Sequence, residues 1–247
     1  MPIGDRSREL YDPRFVAQLF DGMSRTYGVV NLISSFGFAW RWRHQCTRLL
    51  QTQGGDCVVD LMSGMGELWS DLVGRVGGDG SVIGIDISEA MCDASTPQRL
   101  RLSRDRHVMM ARANALSCPI ADGSVDGVIS TFGLKTFNAE QLDKLAHEAQ
   151  RILKPGGSIA MLEISVPTLA ALRWPYMFYL EVVVPMIGWL LLGNPDHYRL
   201  LGVYTRAFGD CRDAAERFRR AGLEIEDRSF FFRCATGFTG RKPTVTQ

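Results

Sequence analysis

The sequence predicts a doubly wound α/β fold built on a mostly parallel sheet, and three observations predict it. Short apolar runs alternate with helix-length segments across residues 57–164, the pattern of a parallel sheet with helices on both faces. A glycine-punctuated loop, DLMSGMGELW at residues 60–69, follows the first run, and such loops meet ligands beyond the carboxyl ends of strands. Two tightly joined runs near the end, 223–232 and 235–240, read as an antiparallel pair closing the sheet.

The elements follow in order. Residues 57–61 form a buried strand, and residues 64–76 a loop entering a helix. A second apolar strand covers 81–87 and carries Asp86 near its end; a third covers 108–113 and a fourth 125–131. A helix over 139–153 stops at Lys154-Pro155-Gly156-Gly157, which leads into a fifth strand at 158–164. The run WPYMFYLEVVVPMIGWLLLG, residues 174–193, reaches the length of a spanning helix, about 20 apolar residues. Glu181 and Pro185 lie inside it and Pro175 at its start. A charge near mid-bilayer is costly, so a bent helix that is buried or rests on a membrane is expected. A helix over 211–221 precedes the last two strands. With no repeat or linker, residues 1–247 read as a single domain: an N-terminal lid (1–50), a core (55–165), a hydrophobic insert (166–210) and a closing helix with strand pair (211–247).

Composition narrows the function. An apolar content of 46% and a charged content of 22% are those of a globular protein. A net charge of +1 argues against nucleic acid as a partner, since that needs a basic excess. Six cysteines without a CxxC pair suit buried thiols in a reducing compartment. The polar start, MPIGDRSRELYD, has no signal-peptide core, so a cytoplasmic location is expected.

In the first loop, Gly64 and Gly66 allow close backbone approach, and the helix start behind them offers free N–H groups. Asp86 is placed to accept hydrogen bonds from ribose hydroxyls. A nicotinamide enzyme would carry a third glycine where Trp69 stands, a residue too large for close packing. S-adenosylmethionine (SAM) therefore fits better than a dinucleotide. What remains odd is that Met62 and Met65 occupy a loop that wraps a cofactor.

Over nearly its whole length the chain resembles the UbiE/COQ5 quinone C-methyltransferases. The run VAQLFDGMSRTYGVVNLISSFGFAWRWR is similar to that family's cover segment, and ANALSCPIADGSVDGVISTFGLKTF to its adenine-binding and fourth-strand block. LKPGGSIAMLEISVP, YMFYLEVVVPMIGWLLLGN and ATGFTGRKP look like its fifth strand, substrate-side insert and last strand. The resemblance implies a Rossmann-like class I SAM methyltransferase fold: a mostly parallel seven-stranded sheet with an antiparallel last strand, a helical lid and a hydrophobic helical insert. It also implies SAM contacts from Asp60, Ser63, Gly64, Met65 and Gly66 in the first loop, from Asp86 and Ile87, from Asn114 and Ala115, and from Thr131. Tyr27 would lie in the lid and join Glu67 and Lys135 as candidate catalytic residues.

Departures from that pattern are equally informative. The family usually has small residues and Thr where Met62, Ser63 and Met65 stand, Arg-Asn where Lys135-Thr136 stand, and His at Ala39. Both loops face the chemistry, so altered presentation of SAM is expected. Within the family the pattern most resembles rhodoquinone biosynthesis proteins of the RquA type, which replace a methoxy group of ubiquinone by an amino group taken from SAM. That resemblance implies a lipophilic quinone, ubiquinone, as substrate and a manganese (Mn2+) requirement. C-methylation of a prenylated quinol and non-catalytic SAM binding stay open as alternatives.

Single residues have plain structural readings too. Glu67 suits the SAM amino group or a metal, or is only a first-turn acid favoured by the helix dipole. Lys135 would polarise a quinone oxygen or anchor a leaving methoxide, or would be a solvated loop lysine. His197 in NPDHY is a weaker candidate base, and spacing assigns no metal ligands. In FAWRWRHQ, residues 38–45, Trp40 and Trp42 interleave with Arg41 and Arg43. That favours an anionic membrane surface, so peripheral association with the inner membrane is expected; internal helix packing is the other reading. The insert suits a membrane or a homodimer face.

Overall fold

The protein is described by a computed structural model covering residues 9–24, 28, 35–102, 108–192 and 196–244. Apolar, β-branched runs give the strands β1 (Cys57–Leu61), β2 (Ser81–Asp86), β3 (Val108–Arg112), β4 (Val125–Thr131), β5 (Leu153–Ile164), β6 (Glu224–Phe230) and β7 (Ala235–Arg241). They form one seven-stranded sheet in the order β3-β2-β1-β4-β5-β7-β6. β1 to β5 pair in parallel, and β7 runs antiparallel to both β5 and β6. The strand order reverses between β1 and β4, so the crevice beyond their carboxyl ends is the switch point of the sheet.

Alternation along each strand divides the core in two. Val59 and Val128 face α5 (Ala139–Ile152) and α9 (Arg212–Arg220), meeting Leu145, Ile152 and Phe218. Val58 and Ile129 face the other way, onto α2 (Phe38–Leu49) and α3 (Trp69–Val76), meeting Trp42, Trp69 and Leu72. A reciprocal capping box between Asn138 and Gln141 starts α5. The edge strand β6 is largely exposed and charged, with Arg241 on Glu224 at 2.6 Å and Arg219 on Asp227 at 2.9 Å.

Three elements differ from expectation. α4 (Glu89–Leu102) fills the connection between β2 and β3, where the sequence shows no helical periodicity and Pro97 lies inside the helix. β5 starts at Leu153 because the Lys154–Gly157 segment joins the sheet through an irregularity, its Gly156 N–H and Gly157 C=O pairing with Lys242. The sixth strand ends at Phe230, where left-handed Phe231, Phe232 and Arg233 form a single turn.

The insert is helical throughout residues 170–192 but changes its helix type midway. It runs as α6 (Ala170–Phe178), a π-helical turn (Tyr179–Val183) and α7 (Val184–Leu192), with Pro175 inside α6 and Pro185 in the first turn of α7. No helix among the described residues is long and apolar enough to cross a membrane. Glu181 is held by Arg206 of α8 (Asp196–Phe208) at 2.6 and 2.8 Å. The lid helix α1 (Pro13–Met23) is capped by Asp12, and its Leu19 and Met23 pack on Val184 and Tyr204.

Candidate functional site

The first loop is fixed from both sides. β1 is apolar up to its fourth residue, so Asp60 is carried into the interior, 1% exposed. Met62 then turns the chain with φ +54, a region few side chains adopt. The Met62 side chain packs on Gly133 after β4, where a Cβ would stand 2.7 Å from Met62 Cβ. Ser63 N–H donates to Ile85 O at 3.0 Å. Asp86 ties this loop to the next: its Oδ2 accepts from Gly64 N–H at 2.8 Å and its Oδ1 from Ser88 N–H at 2.9 Å.

These loops line a cavity beyond β1 and β4, where a doubly wound sheet binds its ligand. Asp60, Ser63, Gly64 and Glu67 line it from the first loop. Asp86 and Ile87 follow from the second, Asn114 and Ala115 from the third, and Thr131 from the end of β4. Met65 and Gly66 do not line it. Gly66 instead leaves room for its own neighbour, because a Cβ there would come within 2.4 Å of the Trp69 ring. Gly84 makes space for the same indole, which explains how a fully buried Trp69 fits where a dinucleotide-binding loop would carry a third glycine. Tyr27 lies outside the described residues, as does the side chain of His197.

Sequence reasoning missed the residues that close this cavity from elsewhere in the chain. Tyr11, Val16 and Phe20 reach it from the lid, and Arg43 from α2. Nothing local marks them, except that Arg43 belongs to the tryptophan–arginine run. Helix periodicity divides that run: Trp42 is buried and Arg43 faces the cavity, whereas Trp40 and Arg41 are exposed.

Electrostatically the cavity is acidic. Burial, reinforced by the charges of Glu67 and Asp86, raises the Asp60 carboxyl well above the usual carboxylate range, with Arg43 and the Trp69 indole opposing the rise. Asp60 Oδ2 is buried and lacks a hydrogen-bond partner. Burial lifts Asp86 to about 6, against the lowering effect of the Ser88 and Gly64 N–H groups. Arg43 Nη2 lies 3.4 Å from Glu67 Oε1, and its guanidinium sits 4.9 Å over the Phe132 ring. Among the described residues, no group of three or more His, Cys, Asp and Glu side chains is arranged to hold a metal ion, so the expected Mn2+ finds no donor set there.

Lys135 lines a second cavity, whose walls include Phe38, Trp42, Leu172, Tyr176 and Phe231. It is not a solvated loop lysine, being 3% exposed. Its Nζ donates to Glu163 Oε1 at 2.7 Å and to Phe132 O at 2.9 Å. Glu163 is fully buried and also accepts from the Lys135 N–H at 3.1 Å. Phe132, left-handed at φ +66, lines the first cavity while Lys135, three residues on, lines the second. The loop after β4 is thus a partition between an acidic cavity and an apolar one.

Solved structures share this fold at low sequence identity. The cyclase SpnF aligns with a TM-score of 0.66 at 15% identity, covering 93% of this chain and 95% of its own. A SAM-dependent methyltransferase from Thermotoga maritima aligns with a TM-score of 0.62 at 17% identity, covering 92% and 99%. The architecture is the Rossmann-like α/β fold of SAM-dependent methyltransferases. Residues 7–240 match the model of the ubiE/COQ5 methyltransferase family, and the chain belongs to that family. One relative, the demethylmenaquinone methyltransferase of Bacillus cereus (strain B4264), is 30% identical over 229 residues, 92% of this chain and 95% of the relative.

Proposed function

We propose that this chain is a SAM-dependent enzyme acting on a lipophilic quinone, and that it exchanges a methoxy group of ubiquinone for an amino group. The observation that carries the reading is the shared wall between the two cavities. One side presents carboxylates beyond β1 and β4, and the other presents aromatic and aliphatic side chains with a single lysine. An acidic cavity suits a cofactor bearing an ammonium and a sulfonium, and an apolar one suits a prenylated ring. The relative's name specifies a quinone-class acceptor, which agrees with that division.

The donor set fits SAM. Asp60, with a buried oxygen lacking a partner, and Glu67 would hold the ammonium group. Asp86 would accept from ribose hydroxyls with the lone pairs left by Gly64 and Ser88, and Asn114 with Ala115 would flank the adenine. SAM, when bound, supplies the transferable group. Lys135 keeps two of its three donors on Glu163 and Phe132; the third would donate to a quinone oxygen in the apolar cavity.

Amination rather than methylation is supported by the first loop. Met62 bends the chain through a left-handed conformation onto Gly133, in a position where relatives carry small residues, and this re-aims the end of the cofactor that the loop holds. Family membership alone supports C-methylation equally, and one fold hosts many reactions. Mass spectrometry of the quinone pool after expression in a host making ubiquinone but no rhodoquinone separates the readings. Methoxy-to-amino exchange is expected, and the exchange should vanish with Lys135→Met. A product gaining a methyl group would overturn amination; SAM binding with an unchanged pool would leave a non-catalytic SAM-binding protein.

A further inference from the structure

Arg43 is the one cationic side chain among the described residues lining the acidic cavity. It is poorly satisfied there. Its contact with Glu67, at 3.4 Å, is long for a charge-assisted bond, and its Nε is buried with no hydrogen-bond partner. A buried donor without an acceptor is costly, and the planar fork of a guanidinium matches a carboxylate better than any other group. The Phe132 ring beneath it, 4.9 Å from Cζ, fixes the plane of that fork. The carboxylates around it, Asp60, Glu67 and Asp86, would repel a ligand that was only an anion. The ligand that satisfies both sets of groups is a zwitterion with its carboxylate at Arg43 and its cationic groups at the acids.

We infer that Arg43 is the receptor for the α-carboxylate of the cofactor's amino-acid end. It is a positioning residue: by fixing one end of that group against the Phe132 wall, it sets where the neighbouring α-amino group stands relative to the apolar cavity. The inference rests on the reading of the acidic cavity as a SAM site. It also gives the tryptophan–arginine run a second role, since one arginine turns inward while its neighbour Arg41 stays exposed.

Calorimetric titration of the full chain with SAM and with decarboxylated SAM tests it, because the second ligand keeps the amine and sulfonium and lacks only the carboxylate. The wild type should prefer SAM by about tenfold or more, and Arg43→Ala should abolish that preference while leaving decarboxylated SAM within about twofold. Arg43→Lys, which keeps the charge without the fork, should retain part of it, and it serves where the alanine variant folds poorly. A wild type that binds both ligands equally, or variants that weaken both alike, would overturn the assignment. If the wild type bound neither, the SAM reading itself would fall and the assignment with it.

Discussion

Asp86 shows how one side chain serves both fold and site. It accepts two backbone N–H groups from different loops, and burial still lifts its carboxyl from 3.8 to about 6. The neutral form is therefore favoured in the folded protein. Its contribution to stability is full below pH 3.8 and is lost as pH rises through about 6. A ligand donating hydroxyl groups to the ionised carboxylate has the opposite dependence. Thermal midpoints of the free protein should fall across that interval while SAM affinity rises, and Asp86→Asn should flatten both trends. A variant that keeps the wild-type slopes would remove Asp86 as their source. At this scale the cavity lining was readable from backbone pattern for Gly64 and Asp86, whereas Asp60 and Ser63 came only with the family resemblance. The sequence was silent on Arg43, which reaches the cavity from a distant helix. For Lys135 the position was readable but the burial was not, because its partner Glu163 lies 28 residues away.

Among the elements, the lid is tied to the core by side-chain contacts from its helix. Asp21 near the end of α1 accepts from Ser88 Oγ–H at 2.6 Å and from Ala90 N–H at 3.1 Å, joining the lid to the loop that carries Asp86. Asp21→Ala should accelerate amide hydrogen exchange across residues 13–23 by about tenfold or more, with exchange in β1 and β4 unchanged. Unchanged lid exchange would mean that its other contacts, Leu19 and Met23 among them, retain it. Strands and amphipathic helices were legible because a face buried on one side leaves a period in the sequence. α4 was not, since it has no apolar face to betray it. The helical character of the insert was legible, whereas the π-helical turn between Pro175 and Pro185 was not.

Across the whole molecule, one surface stands out. Trp174, Phe178, Val182, Met186 and Trp189 recur every three or four residues along the insert and are all exposed, Trp174 by 74%. Phe36 and Phe231, also exposed, lie at the apolar cavity itself, and Arg41 and Arg173 are exposed too. An exposed apolar face of this kind suits a membrane surface or a second copy of the chain. Flotation with vesicles containing anionic lipid should recover the protein. Trp174→Ser combined with Trp189→Ser should release it, as should raised salt in part. Equal recovery by neutral vesicles would exclude the charge component, and a concentration-dependent dimer lost in the same variant would assign the face to a second copy. The opposite rim of the molecule carries a different instruction. The open backbone groups of β6 are a template for adding strands, yet they are framed by Glu224, Glu226, Asp227 and Arg228, paired on their own side by Arg241 and Arg219. Another strand laid there would bring charge against charge, so the sheet is guarded against polymerising through its own edge. Any self-association would have to use a face other than this sheet edge.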